Sequence, residues 1–138
     1  MSERQVEVKG FDATLGLQLD TYSGDEVLAR LTVTPALQQP YGIVHGGVYC
    51  SLVETTASVG AALWFGERGN VVGVANHTNF LRAVREGDLT VRATPVQRGR
   101  TQQLWSVDVR DEQDRLVAQG EVRLANLASA DVLARPAD

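Results

Sequence analysis

The sequence predicts an α+β domain in which one antiparallel sheet is laid against a single long helix. Two observations carry this. From position 31 to 66 the only charged side chain is Glu54, and over 48–65 apolar groups fall almost all round a helical period. A helix of that kind is buried on most of its faces. Around it lie two alternating segments before and four after, at hairpin spacing, and segregation of helix from strands is the α+β pattern. With 138 residues the chain is one domain, its core spanning about 15–127.

The elements follow in order. Leu15, Leu17 and Leu19 alternate with Gly16, Gln18 and Asp20, predicting a half-buried strand. After a turn at 22–25, Val27, Ala29, Leu31 and Val33 alternate in the same way, so the two form a hairpin. Positions 35–40 connect to His45-Gly46-Gly47, read as a tight glycine turn entering the core helix, which ends near Gly66. The β-branched stretch 70–81 predicts a strand, with a turn at Glu86-Gly87-Asp88. Leu89, Val91 and Ala93 mark the next strand, and Gln103, Trp105, Val107 and Val109 the one after. A charged hairpin turn at 111–114 precedes the last strand, with Leu116, Ala118, Gly120, Val122 and Leu124 on one face. Positions 1–10 and 128–138 are expected to be loose.

Composition excludes several functions. A net charge of −4 gives no reason to expect nucleic acid or an anionic membrane as partner. Cys50 is the only cysteine, which excludes an intrachain disulfide and a cysteine-based metal site. His45 and His77 are the only histidines and no carboxylate cluster accompanies them, so neither metal nor cofactor is expected. The helix is about long enough to span a membrane, but Ser51, Glu54, Thr55, Thr56, Ser58 and Gly60 point instead to a core helix. The polar residues 1–5 carry no signal-peptide pattern, so the expected location is the cytoplasm.

Glu54 is the natural place to look for chemistry. A carboxylate within an apolar helix must be paired, hydrogen-bonded or neutralised, and such groups often mark functional sites. Gly47, Glu54 and Ser58 stand at i, i+7 and i+11 on one face. Gly47 is at the helix N-terminus, where free N–H groups and the dipole favour developing negative charge. The competing reading is a core carboxylate that merely bonds Ser58 or nearby backbone. Seven helical residues rise about 10 Å, so a carbonyl held between Gly47 and Glu54 fits two antiparallel helices of a dimer better than one chain.

Four segments in order carry a resemblance. They are Tyr41-Gly42-Ile43-Val44-His45-Gly46-Gly47, Leu52-Val53-Glu54-Thr55-Thr56-Ala57-Ser58, Asn76-His77-Thr78-Asn79-Phe80-Leu81-Arg82 and Arg98-Gly99-Arg100-Thr101. Together they resemble the hotdog-fold thioesterases, in particular the phenylacetate-pathway-like group of acyl-CoA thioesterases, over about 15–127. The resemblance implies a curled antiparallel sheet around the core helix. It implies a homodimer with one continuous sheet and interfacial active sites, usually a homotetramer as a dimer of dimers. Glu54 matches the family's catalytic carboxylate and Gly47 the backbone donor to the thioester oxygen. Gln39 and His45 match polar residues at the thioester or its attacking water, and Ser58 one that helps place them. Arg82, Arg100 and Thr101 fall where the family contacts CoA, although Ala83 replaces a common proline. Arg98, beside Arg100 and Thr101, also suits phosphate groups. The implied activity is hydrolysis of an acyl-CoA, with Glu54 as general base or nucleophile. The alternative is a non-catalytic acyl-CoA-binding protein of the same fold. The acyl pocket wall is expected from Val48, Leu52, Ala61, Ala62, Leu63, Phe65 and a partner chain.

Overall fold

The computed structural model describes residues 5–128. The chain begins with a short helix, α1 (Phe11–Leu15), and a hairpin of β1 (Gln18–Tyr22) and β2 (Val27–Thr32). A 3-10 turn at Pro35–Leu37 leads to the central helix α2 (Gly46–Phe65), and a further 3-10 turn at Gly66–Arg68 extends its end. Then follow β3 (Asn70–Phe80), β4 (Asp88–Arg98), β5 (Gln102–Arg110) and β6 (Leu116–Leu127). All pairings are antiparallel and the strand order is β1-β2-β4-β5-β6-β3.

The expected first strand differs in its start. Leu15 closes α1, and Gly16 in a left-handed conformation, φ 86°, caps it and turns the chain into β1. Leu15 and Leu17 are both buried. Their spacing of two suits this turn as well as a strand, so alternation alone did not separate the two.

The sheet curls around α2, which packs against β2 to β6. Its length and composition over Gly46–Arg68 would suffice to cross a membrane, but half of that stretch is buried in the domain. Leu52, Val53, Ala57 and Ala61 of the helix meet Leu31, Val91, Val107, Val122 and Leu124 of the sheet, all shielded from solvent. Gly60 lets the Trp105 ring lie against the helix; a Cβ there would come within 2.5 Å of the ring's Cη2. Trp105 Nε1–H donates to Gln103 Oε1 at 2.8 Å. Gln103 Nε2 in turn donates to Ala61 O at 3.2 Å and Asn126 Oδ1 at 2.9 Å. This fully buried amide ties α2, β5 and β6 together.

α2 also runs alongside β3 in the opposite direction. Gly46 abuts the Phe80 ring, Tyr49 stacks obliquely on it with centroids 6.0 Å apart, and Glu54 lies against Gly73. β3 pairs with β6 on one side only, so its other edge is free of sheet pairing. Val74 and Phe80 on this strand are 55% and 56% exposed. The strand carries a bulge: Gly73 pairs with Leu124 and Ala75 with Arg123, leaving Val74 as an extra residue. A strand normally turns residues three apart to opposite faces, and one extra residue reverses that parity. Gly73 and Asn76, opposite the buried Leu124 and Val122, therefore both face α2.

Candidate active site

The N-terminus of α2 is built differently from a simple glycine turn. The reversal falls at Gly42, φ 76°, whereas Gly46 and Gly47 are already helical. The absence of a side chain at Gly46 lets the Phe80 ring lie against the helix tip, since a Cβ would come within 2.5 Å of Phe80 Cε2. His45 is the N-cap, and its Nδ1 accepts from Gly47 N–H at 2.8 Å. Two consequences follow. The Gly47 N–H, expected as the oxyanion donor, is engaged by the cap. The neutral imidazole that accepts at Nδ1 carries its proton on Nε2, which remains a donor.

Gly46, at N1, has an N–H with no intrahelical acceptor. It lines a cavity of about 350 Å³ together with Gln39, Ile43, Tyr49, Phe80 and Arg82. The Gln39 side-chain oxygen accepts from Tyr41 N–H, and its backbone N–H donates to Ile43 O at 2.8 Å. These bonds fix the loop that brings Gln39 beside the helix tip.

Glu54 lies two turns further along α2 and is half-buried. Its Oε2 accepts from Asn76 Nδ2 at 3.2 Å, and the same amide donates to Cys50 O at 3.0 Å. Gly73 gives the other oxygen room, since any Cβ at that position would collide with Oε1. Glu54 opens into a second cavity of about 450 Å³, lined by Ser58, Val59, Ala62, Leu63 and Val71. Val6, Asp12 and Thr55 complete its lining, and Thr55 Oγ1 donates to Asp12 Oδ1 at 2.6 Å, tying α1 to α2.

Within one chain the expected residues are dispersed. Gln39 and Arg82 share one cavity with Gly46, Glu54 and Ser58 line the other, the expected Gly47 and His45 line neither, and no residue lines both. Arg98, Arg100 and Thr101 lie at the far end of α2, whose 20 residues rise about 30 Å. Arg98 is taken up structurally: it donates to Gly24 O at 2.6 Å and Asp25 Oδ1 at 2.8 Å, and stands over the Trp64 ring at 5.5 Å. Arg100 and Thr101 form the β4–β5 turn, held through their carbonyls by Asn126 and exposed in their side chains. Of the expected pocket wall, Ala62 and Leu63 line the Glu54 cavity. Val48, Leu52, Ala61 and Phe65 instead face the protein core. His77 pairs with Glu121 on the outer face of the sheet, away from Glu54. Among the described residues no cluster of three metal-ligating side chains occurs.

Asn76 is the neighbour of Glu54 that sequence reasoning did not single out. Counting in twos from Gly73 puts it on the outer face, and only the bulge turns it inward.

A curled antiparallel sheet wrapped on one long central helix is the hotdog architecture found in thioesterases. The chain belongs to the thioesterase superfamily, whose sequence profile matches residues 41–118. A provisionally named esterase of Mycobacterium tuberculosis is 49% identical over 120 residues, 85% of this chain and 86% of that protein. Its solved structure superimposes with a TM-score of 0.84, covering 91% of this chain and 98% of that one. AziG of S. sahachiroi is 47% identical with a TM-score of 0.87, covering 88% and 99%. A Haemophilus influenzae thioesterase is 36% identical with a TM-score of 0.78, covering 82% and 79%.

Proposed function

We propose that the protein hydrolyses acyl-CoA thioesters in a site shared between two copies of the chain. The observation that carries this is the placement of Glu54 and the α2 N-terminus along β3, in separate cavities that touch opposite ends of that strand, at Val71 and at Phe80, while one edge of the strand is unpaired. Antiparallel pairing of β3 with the β3 of a second copy would continue the sheet and set the two α2 helices antiparallel. The helix tip of one chain would then approach Glu54 of the other. A two-fold contact of this kind is isologous and closed. Among relatives, an Escherichia coli 1,4-dihydroxy-2-naphthoyl-CoA hydrolase, 29% identical over 113 residues, supports a CoA thioester as substrate class.

In this reading the thioester oxygen accepts from Gly46 N–H at the positive end of the α2 dipole. This moves the expected donor from Gly47 by one residue, because the Gly47 N–H serves the His45 cap. Gln39 and the Nε2–H of His45 supply further donors nearby. Removal of one donor to an oxyanion typically costs about 10²–10³ in rate. Glu54 of the other chain takes a proton from water, and the hydroxide adds to the carbonyl carbon. The carbon–sulfur bond then breaks, CoA leaves as thiolate, and the carboxyl proton returns to it or to solvent. Direct attack by Glu54 would instead give an anhydride that water opens. A thiolate leaves readily, so the site needs no strong acid. In this reading Ser58, one turn beyond Glu54 and lining the same cavity, helps to hold the water. Arg82 and the Arg100–Thr101 turn are proposed to meet the CoA moiety from different chains of the assembly.

The test is CoA release, read by thiol trapping, from a panel of aryl and short- to long-chain acyl-CoAs. Turnover by the wild type that disappears in Glu54→Gln, with substrate still bound, is the expected result. Near-wild-type turnover in Glu54→Gln would refute the assignment, and binding without turnover by the wild type would make the protein an acyl-CoA-binding module.

A further inference from the structure

We infer that Asn76, aimed inward by the β3 bulge, is a positioning residue that fixes the carboxylate of Glu54 for reaction. This rests on Glu54 as the reacting carboxylate. Without Val74 as the extra residue, Asn76 would fall on the face of the sheet away from α2; with it, Asn76, still exposed at the strand edge, stands opposite buried Val122 and reaches the backbone of α2. The amide orientation is forced by chemistry. Glu54 Oε2 and Cys50 O are both acceptors, so the NH₂ end must meet them. The other end, Oδ1, accepts from Thr78 Oγ1 at 2.8 Å.

Thr78 has its own support. It pairs with Gly120 on β6, where a Cβ would come within 2.6 Å of the Thr78 hydroxyl. The absence of a side chain at Gly120 leaves room for that hydroxyl to turn toward Asn76. A short relay thus runs from β6 through Thr78 and Asn76 to Glu54, and every distance in it lies within one chain. It restrains one carboxylate oxygen and leaves Oε1, in the Gly73 niche, without that restraint. Asn76 makes no covalent contribution; it limits the rotamers of a three-torsion side chain, so a loss of Asn76 would act on turnover rather than on substrate binding.

The variants are Asn76→Leu, which keeps the approximate size without a donor, and Asn76→His, which keeps a ring N–H at similar reach. The expected result is a fall in kcat of about tenfold for Asn76→Leu, the worth of one hydrogen bond to a charged group. KM stays unchanged and Asn76→His recovers most of the rate. Wild-type kcat in Asn76→Leu, or equal losses in both variants, would overturn the inference while the Glu54→Gln control still stands. Crystal structures of wild type and Asn76→Leu give a readout independent of turnover. Glu54 is expected to keep one rotamer in the first and spread over several in the second; one unchanged rotamer in both would overturn the inference even for a protein without hydrolase activity.

Discussion

Gly73 of β3 and Glu54 of α2 occupy complementary space: the carboxylate Oε1 fills the place where any side chain at 73 would begin. The obstructed atom is the free end of a flexible chain, so Gly73→Ala is expected to displace the carboxylate without unfolding the strand. A misplacement of about 1 Å can cost about 10²-fold in rate. Steady-state kinetics should show that loss, and a melting curve should remain near that of the wild type.

His45 has two separable duties. As N-cap it accepts from Gly47 N–H, and removal of a cap costs about 1 kcal/mol. His45→Ala should therefore melt several degrees lower. His45→Asn should keep the cap and the melting temperature but lack the Nε2–H. If that proton contributes to the oxyanion, His45→Asn loses activity at unchanged stability, and paired melting and rate measurements separate the two.

Gln103 is fully buried and serves Trp105, Ala61 and Asn126 at once. Gln103→Leu would leave the Trp105 Nε1–H without its acceptor in the core. Each buried polar group so stranded costs about 1–3 kcal/mol. Urea unfolding should show a lower midpoint with the slope unchanged.

Burial, with a smaller contribution from the charge of Asp111, pushes the Tyr49 hydroxyl up from 10.0 to about 12. The folded protein therefore holds this proton more tightly than the unfolded chain. Its contribution is complete below pH 10 and is lost as pH rises through about 12. The hydroxyl has no hydrogen-bond partner among the described residues. Tyr49→Phe removes this stranded hydroxyl, so it should raise stability at neutral pH by up to about 1–3 kcal/mol and resist alkaline unfolding better. Tyrosinate absorbance followed against circular dichroism from pH 8 to 13 checks both.

What the sequence made legible was set by long periodicities. The uncharged run around Glu54 announced α2, and strict alternation announced β2, β4, β5 and β6. The same alternation misplaced the first strand, because Leu15 and Leu17 are buried across a left-handed Gly16. The Glu54 cavity's lining was only half legible. Helical phase says that Leu52 and Ala61 are buried, but not that they face the sheet while Ala62 and Leu63 face the cavity. Asn76 was hidden by a single inserted residue, since parity along a strand is lost at a bulge. Arg98 read as a phosphate ligand because its partners, Gly24 and Asp25, are more than seventy positions away.

The unpaired edge of β3 has a kinetic meaning. If the two parts of each site come from different chains, a lone chain is inert and folding alone does not complete the catalyst. Serial dilution should then reveal a threshold. Above it rate is proportional to protein; below it rate climbs with the square of protein concentration, as the population of pairs does. An enzyme built this way would be switched by its own abundance.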